Sequence, residues 1–174
     1  PGAGGTQRLP RLIGVEAALN VIVYGAPVAA AKFKGTPLID SIIDGELVAG
    51  ASAFARGVIG QPTRRVRDLK LRDPNAQAFL QFARNMVAAG AKGFPAPLAC
   101  IDAVANAVGK PFDEGLRLER EAFMALMLTP ESRALRHVFA AERAAAKLPD
   151  VPESTALRTI AKVGVIGAGT MGGG

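Results

Sequence analysis

Late in the chain, apolar residues recur at helical spacing, and this constrains the fold more than any other feature. In FDEGLRLEREAFMALML, Phe112, Leu116, Phe123 and Met127 return at intervals near 3.6 residues, while Asp113, Arg117 and Glu121 lie elsewhere on the helical wheel. The pattern predicts a helix with one packed face and one wet face. Thr129 then stands where a cap is needed, Pro130 takes the first helical position and Glu131 faces the positive end of the helix dipole. A second helix follows, with Leu135, Val138 and Phe139 as its stripe, and Pro149 ends it. Two consecutive amphipathic helices point to a mainly α fold. An alanine-rich composition with 49% apolar and 21% charged residues agrees with it.

Upstream the helices are shorter. GGTQRLPRLIG starts one at a glycine-rich N-terminus, VEAALNVIVYG follows with Ala17, Ala18, Val21 and Ile22 on one face, and APVAAAKFKG gives a brief third. LIDSIIDG, with Leu38, Ile39, Ile42 and Ile43 between turn formers, predicts a short strand or extended segment, ahead of a helix from Glu46 to about Gly57. The polar stretch GQPTRRVRDLKLRDPN reads as a connecting loop. Asp73 with Pro74 then predicts the start of a helix that carries Phe79, Phe82 and Met86 on its apolar face, and KGFPAPL separates it from the next.

Several chemistries find no support. The net charge of +6 is concentrated in Arg64, Arg65, Arg67, Lys70 and Arg72, without interleaved aromatics on which bases would stack, so this reads as a solvated loop and not a nucleic-acid surface. A phosphate-bearing ligand such as coenzyme A is compatible with it. Cys100 is the single cysteine, which excludes an internal disulfide, and PLACIDAVANAV places it as a small apolar residue on a helix. His137, the one histidine, falls on the second amphipathic helix and reads as a surface or packing residue. No cluster with metal-ligand spacing occurs. No apolar stretch approaches the roughly 20 residues that span a bilayer, and no secretory leader is legible.

After the second helix, LPDVPESTA is rich in proline and small polar residues and reads as an interdomain linker. The pattern then changes to a β-branched run, Val163 to Ile166, followed by Gly167, Gly169 and Gly172 in the spacing G-x-G-x-x-G. The first glycine of such a motif permits a tight turn, the second lets the backbone approach a pyrophosphate, and the third lets the next helix pack on the strand. A bound pyrophosphate would rest on that helix's N-terminus. The helix itself, and the acidic residue about 20 positions on that would hold a ribose, do not occur within these 174 residues. The opening cluster PGAGGTQRLPR lacks the Lys-Ser/Thr ending of a P-loop, and reads as a helix start with free amides pointing outwards.

The segments and their order carry a family resemblance over nearly the whole chain. PGAGGTQRLPRLIG resembles the part of the enoyl-CoA hydratase (crotonase) superfamily that follows the second catalytic glutamate, and EAALNVIVYGAPVAAAKFKG is similar to the helices after it. FDEGLRLEREAFMALMLTPESRALRHVFAAERAAAKLP is similar to the helices and linker of the multifunctional β-oxidation enzymes, in which a hydratase is fused to a 3-hydroxyacyl-CoA dehydrogenase. KVGVIGAGTMGGG resembles the start of that dehydrogenase's NAD-binding domain. KFKGTPLIDSIIDG departs from the usual pattern by lacking several residues ahead of the extended segment, which puts the local acyl-CoA wall in doubt.

The resemblance implies the C-terminal helical part of a crotonase-like fold plus a linker helix, ending in the first strand and turn of a Rossmann fold. Residues 1–110 would be the C-terminal portion of the hydratase/isomerase domain, 111–148 the amphipathic linking helices, 149–160 the linker and 161–174 the opening of the NAD-binding domain. The family's two catalytic glutamates and its oxyanion amides would precede Pro1. The one catalytic position carried over is Gly2, whose backbone amide helps hold the catalytic water. Gly167, Gly169 and Gly172 would be cofactor-binding residues for NAD in the whole enzyme, and this stretch by itself is expected to bind no NAD and to catalyse neither reaction. Acyl-CoA would be the substrate class, with no nucleic-acid partner. Two other readings stand beside it: a noncatalytic module associating through helices 112–147, or an N-terminally extended single-function dehydrogenase. Alanine and arginine richness points to a bacterial cytoplasm, with the peroxisome as the alternative.

Overall fold

The computed structural model describes residues 1–90, 93–152, 154–170, 172 and 173; Glu153 of the expected linker, and Met171 and Gly174 of the glycine turn, lie outside them. Among the described residues seven α-helices form: α1 Gly5–Ile13, α2 Val15–Tyr24, α3 Leu47–Gly57, α4 Ala76–Gly90, α5 Ala96–Gly109, α6 Phe112–Met127 and α7 Pro130–Ala145. Single 3-10 turns occupy Ala30–Phe33 and Val66–Asp68. The chain divides into two compact units, Pro1–Ala134 and Leu135–Gly174.

In the first unit α5 is the hub, touching α1, α2, α4 and α6. Its inner face supplies Ile101 and Val104, which meet Val15 and Leu19 of α2 and Leu80 and Val87 of α4. Each large aliphatic side chain withdrawn from water here contributes about 1.5–3 kcal/mol. α1 lies on α2, α5 and α6, so its N-terminal turn is enclosed by the rest of the unit.

The helical content agrees with the sequence, and local details differ for identifiable reasons. α4 begins at Ala76, later than Pro74, because Asp73 closes a turn in front of it. Its carboxylate accepts the Asn75 N–H at 3.0 Å and the Val15 N–H, at the start of α2, at 3.3 Å. The apolar face of α4 is also rotated from expectation: Phe82 and Met86 are exposed, and Leu80 and Val87 are buried. A spacing of three and four fits more than one stripe on a wheel, and the small, branched surface of α5 selects the aliphatic one. The brief helix expected in APVAAAKFKG is a 3-10 helix, Ala30–Phe33, and Leu38–Ile43 pairs with no strand.

Thr129 caps α7 as its position predicts, its hydroxyl accepting the Ser132 N–H at 3.2 Å. In the second unit Leu135, Val138 and Phe139 are about half exposed, and Arg143 lies 4.4 Å from the centre of the Phe139 ring. The strand expected at Val163–Ile166 does not form. A strand's N–H and C=O groups must bond to a neighbouring strand, and none of the described residues forms one, so Val163 and Ile166 stand exposed.

Candidate functional site

Among the described residues, the buried polar side chains Thr6, Gln7 and Glu119 gather around the first turn of α1. Gly4, the residue before the helix, sits at φ +89°, in the left-handed region where glycine carries no penalty, and it has no side chain with which to cap. The orphan amides are instead satisfied from α6. Glu119 is 2% exposed, and its carboxylate accepts the Gly4 N–H at 2.5 Å, the Thr6 N–H at 3.0 Å and the Thr6 hydroxyl through a short hydrogen bond. Three donors and the positive end of the helix take the place of the water this carboxylate lost.

Gln7 extends the network. Its Nε2 donates to Thr6 Oγ1 at 3.0 Å and to the Ala103 carbonyl of α5 at 2.7 Å, so the hydrogen bonds run without a break from α5 through Gln7 and Thr6 to Glu119. Gln7 Oε1 is buried and faces Gly115 of α6, where a Cβ would strike it. Gly2 is closed off on its other side: a Cβ there would fall within 2.8 Å of Phe123 Cδ1. Gly115, Glu119 and Phe123 lie four residues apart in turn, so one face of α6 supports the whole turn from Gly2 to Gln7. Among the described residues the Gly2 N–H makes no hydrogen bond.

Around this turn, Arg8, Arg11 and Arg67 place their guanidinium carbons 5.7, 5.0 and 5.4 Å from the centre of the Phe112 ring. Beside it opens an apolar recess of about 460 Å³ lined by Pro1, Leu9, Leu12, Ile22 and Leu38 among others.

The other sequence-predicted positions are not gathered here. Gly167, Gly169 and Gly172 form a separate turn, in which Gly172 and Gly173 donate to the Gly169 carbonyl at 3.1 and 3.0 Å. Gly167 has φ +98°, and a Cβ on Gly172 would strike the Gly167 carbonyl, so both positions require glycine. Cys100 is partly buried on α5, and burial pushes its thiol above the ordinary value, away from reactivity. His137 is exposed on α7. Three of the five cations of the arginine-rich loop are paired locally: Arg64 with Asp40 at 3.0 Å, Arg65 with Asp68 at 2.7 Å and Arg67 with Asp113. The bond from Arg65 holds the Asp68 carboxyl below the usual range.

Sequence reasoning missed Glu119, Thr6 and Gln7. The signal was present for Glu119, which falls between Leu116 and Phe123 at spacings of three and four, inside the apolar stripe. A carboxylate in that slot must turn inward and needs buried donors.

No family model matches the chain. Among curated proteins, all of the chain matches the peroxisomal bifunctional enzyme of Cavia porcellus at 35% identity over 181 residues, and that of Danio rerio at 37% over 181. It matches the fatty acid oxidation complex subunit alpha of Shewanella amazonensis at 34% over 182. The chain is a homologue of the multifunctional fatty-acid β-oxidation enzymes. It spans about a quarter of the length of these relatives, 25% of the first two and 26% of the third. The resemblance read from the order of the segments therefore extends over the whole chain, and the glycine turn and its supporting α6 lie within the matched region.

Proposed function

We propose that the chain is part of a bifunctional β-oxidation enzyme that hydrates trans-2-enoyl-CoA and oxidises the resulting 3-hydroxyacyl-CoA with NAD. The observation that supports the first activity is the Gly2–Gln7 turn. Its backbone is fixed by buried hydrogen bonds, and among the described residues the Gly2 amide has no protein partner. In hydration the Gly2 N–H donates to the water oxygen and holds it in line with the β-carbon of the enoyl group. Proton transfer falls to the two glutamates that the resemblance puts ahead of Pro1. Positioning of this kind converts a diffusing reactant into a bound one and accounts for several powers of ten in rate. The adjacent apolar recess suits the acyl chain.

For the second activity, Gly167, Gly169 and Gly172 are the residues that would hold NAD. The turn fits that role, because Gly167 needs its left-handed backbone and Gly172 has no room for a side chain. NAD would supply the hydride acceptor; the part of this chain is to let the pyrophosphate approach bare backbone. Composition favours a bacterial cytoplasm as the setting.

The full-length protein should hydrate crotonyl-CoA and reduce NAD with 3-hydroxybutyryl-CoA; failure of both assays would sink the proposal. The 174-residue chain alone should do neither, and measurable turnover by purified material would refute that. The half-exposed stripe of Leu135, Val138 and Phe139 favours a second reading, association through α7. Light scattering that shows a clean monomer, with no binding of a hydrophobic dye, would count against it.

A further inference from the structure

We propose that Glu119 is a positioning residue of the hydratase site, fixing the peptide plane of Gly2 from behind; the inference rests on the hydratase reading above. An amide that orients a reacting water must be held to within about half an ångström, which a glycine-rich turn does not achieve unaided. Here the residue before α1 is itself a glycine, so the cap is imported. Glu119 engages the Gly4 N–H, the Thr6 N–H and the Thr6 hydroxyl at once. One helical turn further along α6, the Phe123 ring occupies the space behind the Gly2 α-carbon. The two side chains thus hold the same short turn at both ends, and both come from α6.

The charge of Glu119 has a second effect. Among the described residues it forms no ion pair with a lysine or arginine, and its negative charge is met by the amides of the α1 N-terminus. The Gly4 and Thr6 donors are thereby consumed, while among the described residues the Gly2, Ala3 and Gly5 N–H groups make no hydrogen bond. Glu119 thus removes two amides of the turn from competition for the water and fixes the backbone that carries Gly2. A glutamine of the same size cannot do this. One of its two ends carries N–H donors, so in either orientation either the Gly4 or the Thr6 N–H would face another donor.

The test uses the full-length protein, with crotonyl-CoA hydration rates normalised to folded protein by far-UV circular dichroism. Glu119→Gln is expected to lower the hydratase kcat by about 10- to 100-fold with KM changed less than threefold, because a displaced amide affects the transition state more than binding. A kcat within twofold of wild type, or a loss confined to KM, would overturn the inference. If Glu119→Gln does not fold, Thr6→Val and Thr6→Ser decide the matter. The valine variant, which lacks the hydroxyl, should lose three- to tenfold in kcat, and the serine variant should recover at least half the wild-type value. Equal activity in the two would overturn the inference. A wild-type protein that does not hydrate crotonyl-CoA removes the hydratase reading and this inference together; an active wild type beside an unaffected Glu119→Gln removes this inference alone.

Discussion

Two glycine-rich turns occur in this chain, Gly2 to Gln7 and Gly167 to Gly173, and their glycines do similar local work. In each, one glycine takes a left-handed conformation and another lies too close to a neighbour to carry a side chain. They differ in what holds them. The first is fastened by buried Thr6, Gln7 and Glu119 to α5 and α6. The second closes on its own backbone, and the apolar residues that lead into it, Val163, Val165 and Ile166, are exposed. A glycine motif defines a backbone path, but the accuracy with which the path is kept comes from side chains distant in sequence.

The largest expected effect tests that distinction directly. Glu119→Ala strands the Gly4 and Thr6 amides and should destabilise the protein by about 2–5 kcal/mol in urea unfolding, the cost of two buried donors left unmade. Next, Gly2→Ala drives a methyl group into Phe123 and should lower the hydratase kcat of the full-length protein about 100-fold, or about 2.7 kcal/mol; unchanged hydration would break the assignment of Gly2. Gly115→Ala is a finer probe. Alanine is the better helix former by about 1 kcal/mol, but its Cβ collides with Gln7, so a net loss of about 0.5–2 kcal/mol is expected by thermal or urea unfolding. A gain in stability would show that the Gln7 contact is loose.

In the second turn, Gly169→Ala meets open space and should change stability by less than about 0.5 kcal/mol. A larger loss would mean that this turn too is tightly held. The smallest effect concerns Glu114, whose carboxyl is lowered by its hydrogen bond to Lys110. A depressed pKa contributes stability above the ordinary carboxylate range and loses it as pH falls through the folded value. Urea midpoints measured from pH 6 to 3 should therefore fall slightly less in Glu114→Gln than in the wild type, and high salt should shrink the difference.

Much of the fold was legible because helix signals are local. Thr129 and Pro130 place the start of α7, the stripe of Phe112, Leu116, Phe123 and Met127 is half-buried, and α3 runs over Leu47–Gly57 beside the expected Glu46–Gly57. What failed depended on partners. Whether Phe82 or Leu80 faces inward is settled by α5, and Val163–Ile166 has the composition of a strand without a neighbour to pair with. At the site, glycine spacing pointed to the second turn, and Gly2 of the first came from the family resemblance. The carboxylate that secures the first was overlooked because charged residues on an amphipathic helix were assigned to the wet face together, although Glu119 breaks that pattern by its position.

The Phe123 ring behind Gly2 also has an evolutionary consequence. While that ring is present, every mutation at position 2 meets a filled space, so glycine is the one residue tolerated there. Shrinking Phe123 first would open room for a side chain, but would also leave Gly2 unsupported. The two positions are therefore expected to be epistatic, each holding the other in place across generations despite their distance along the gene.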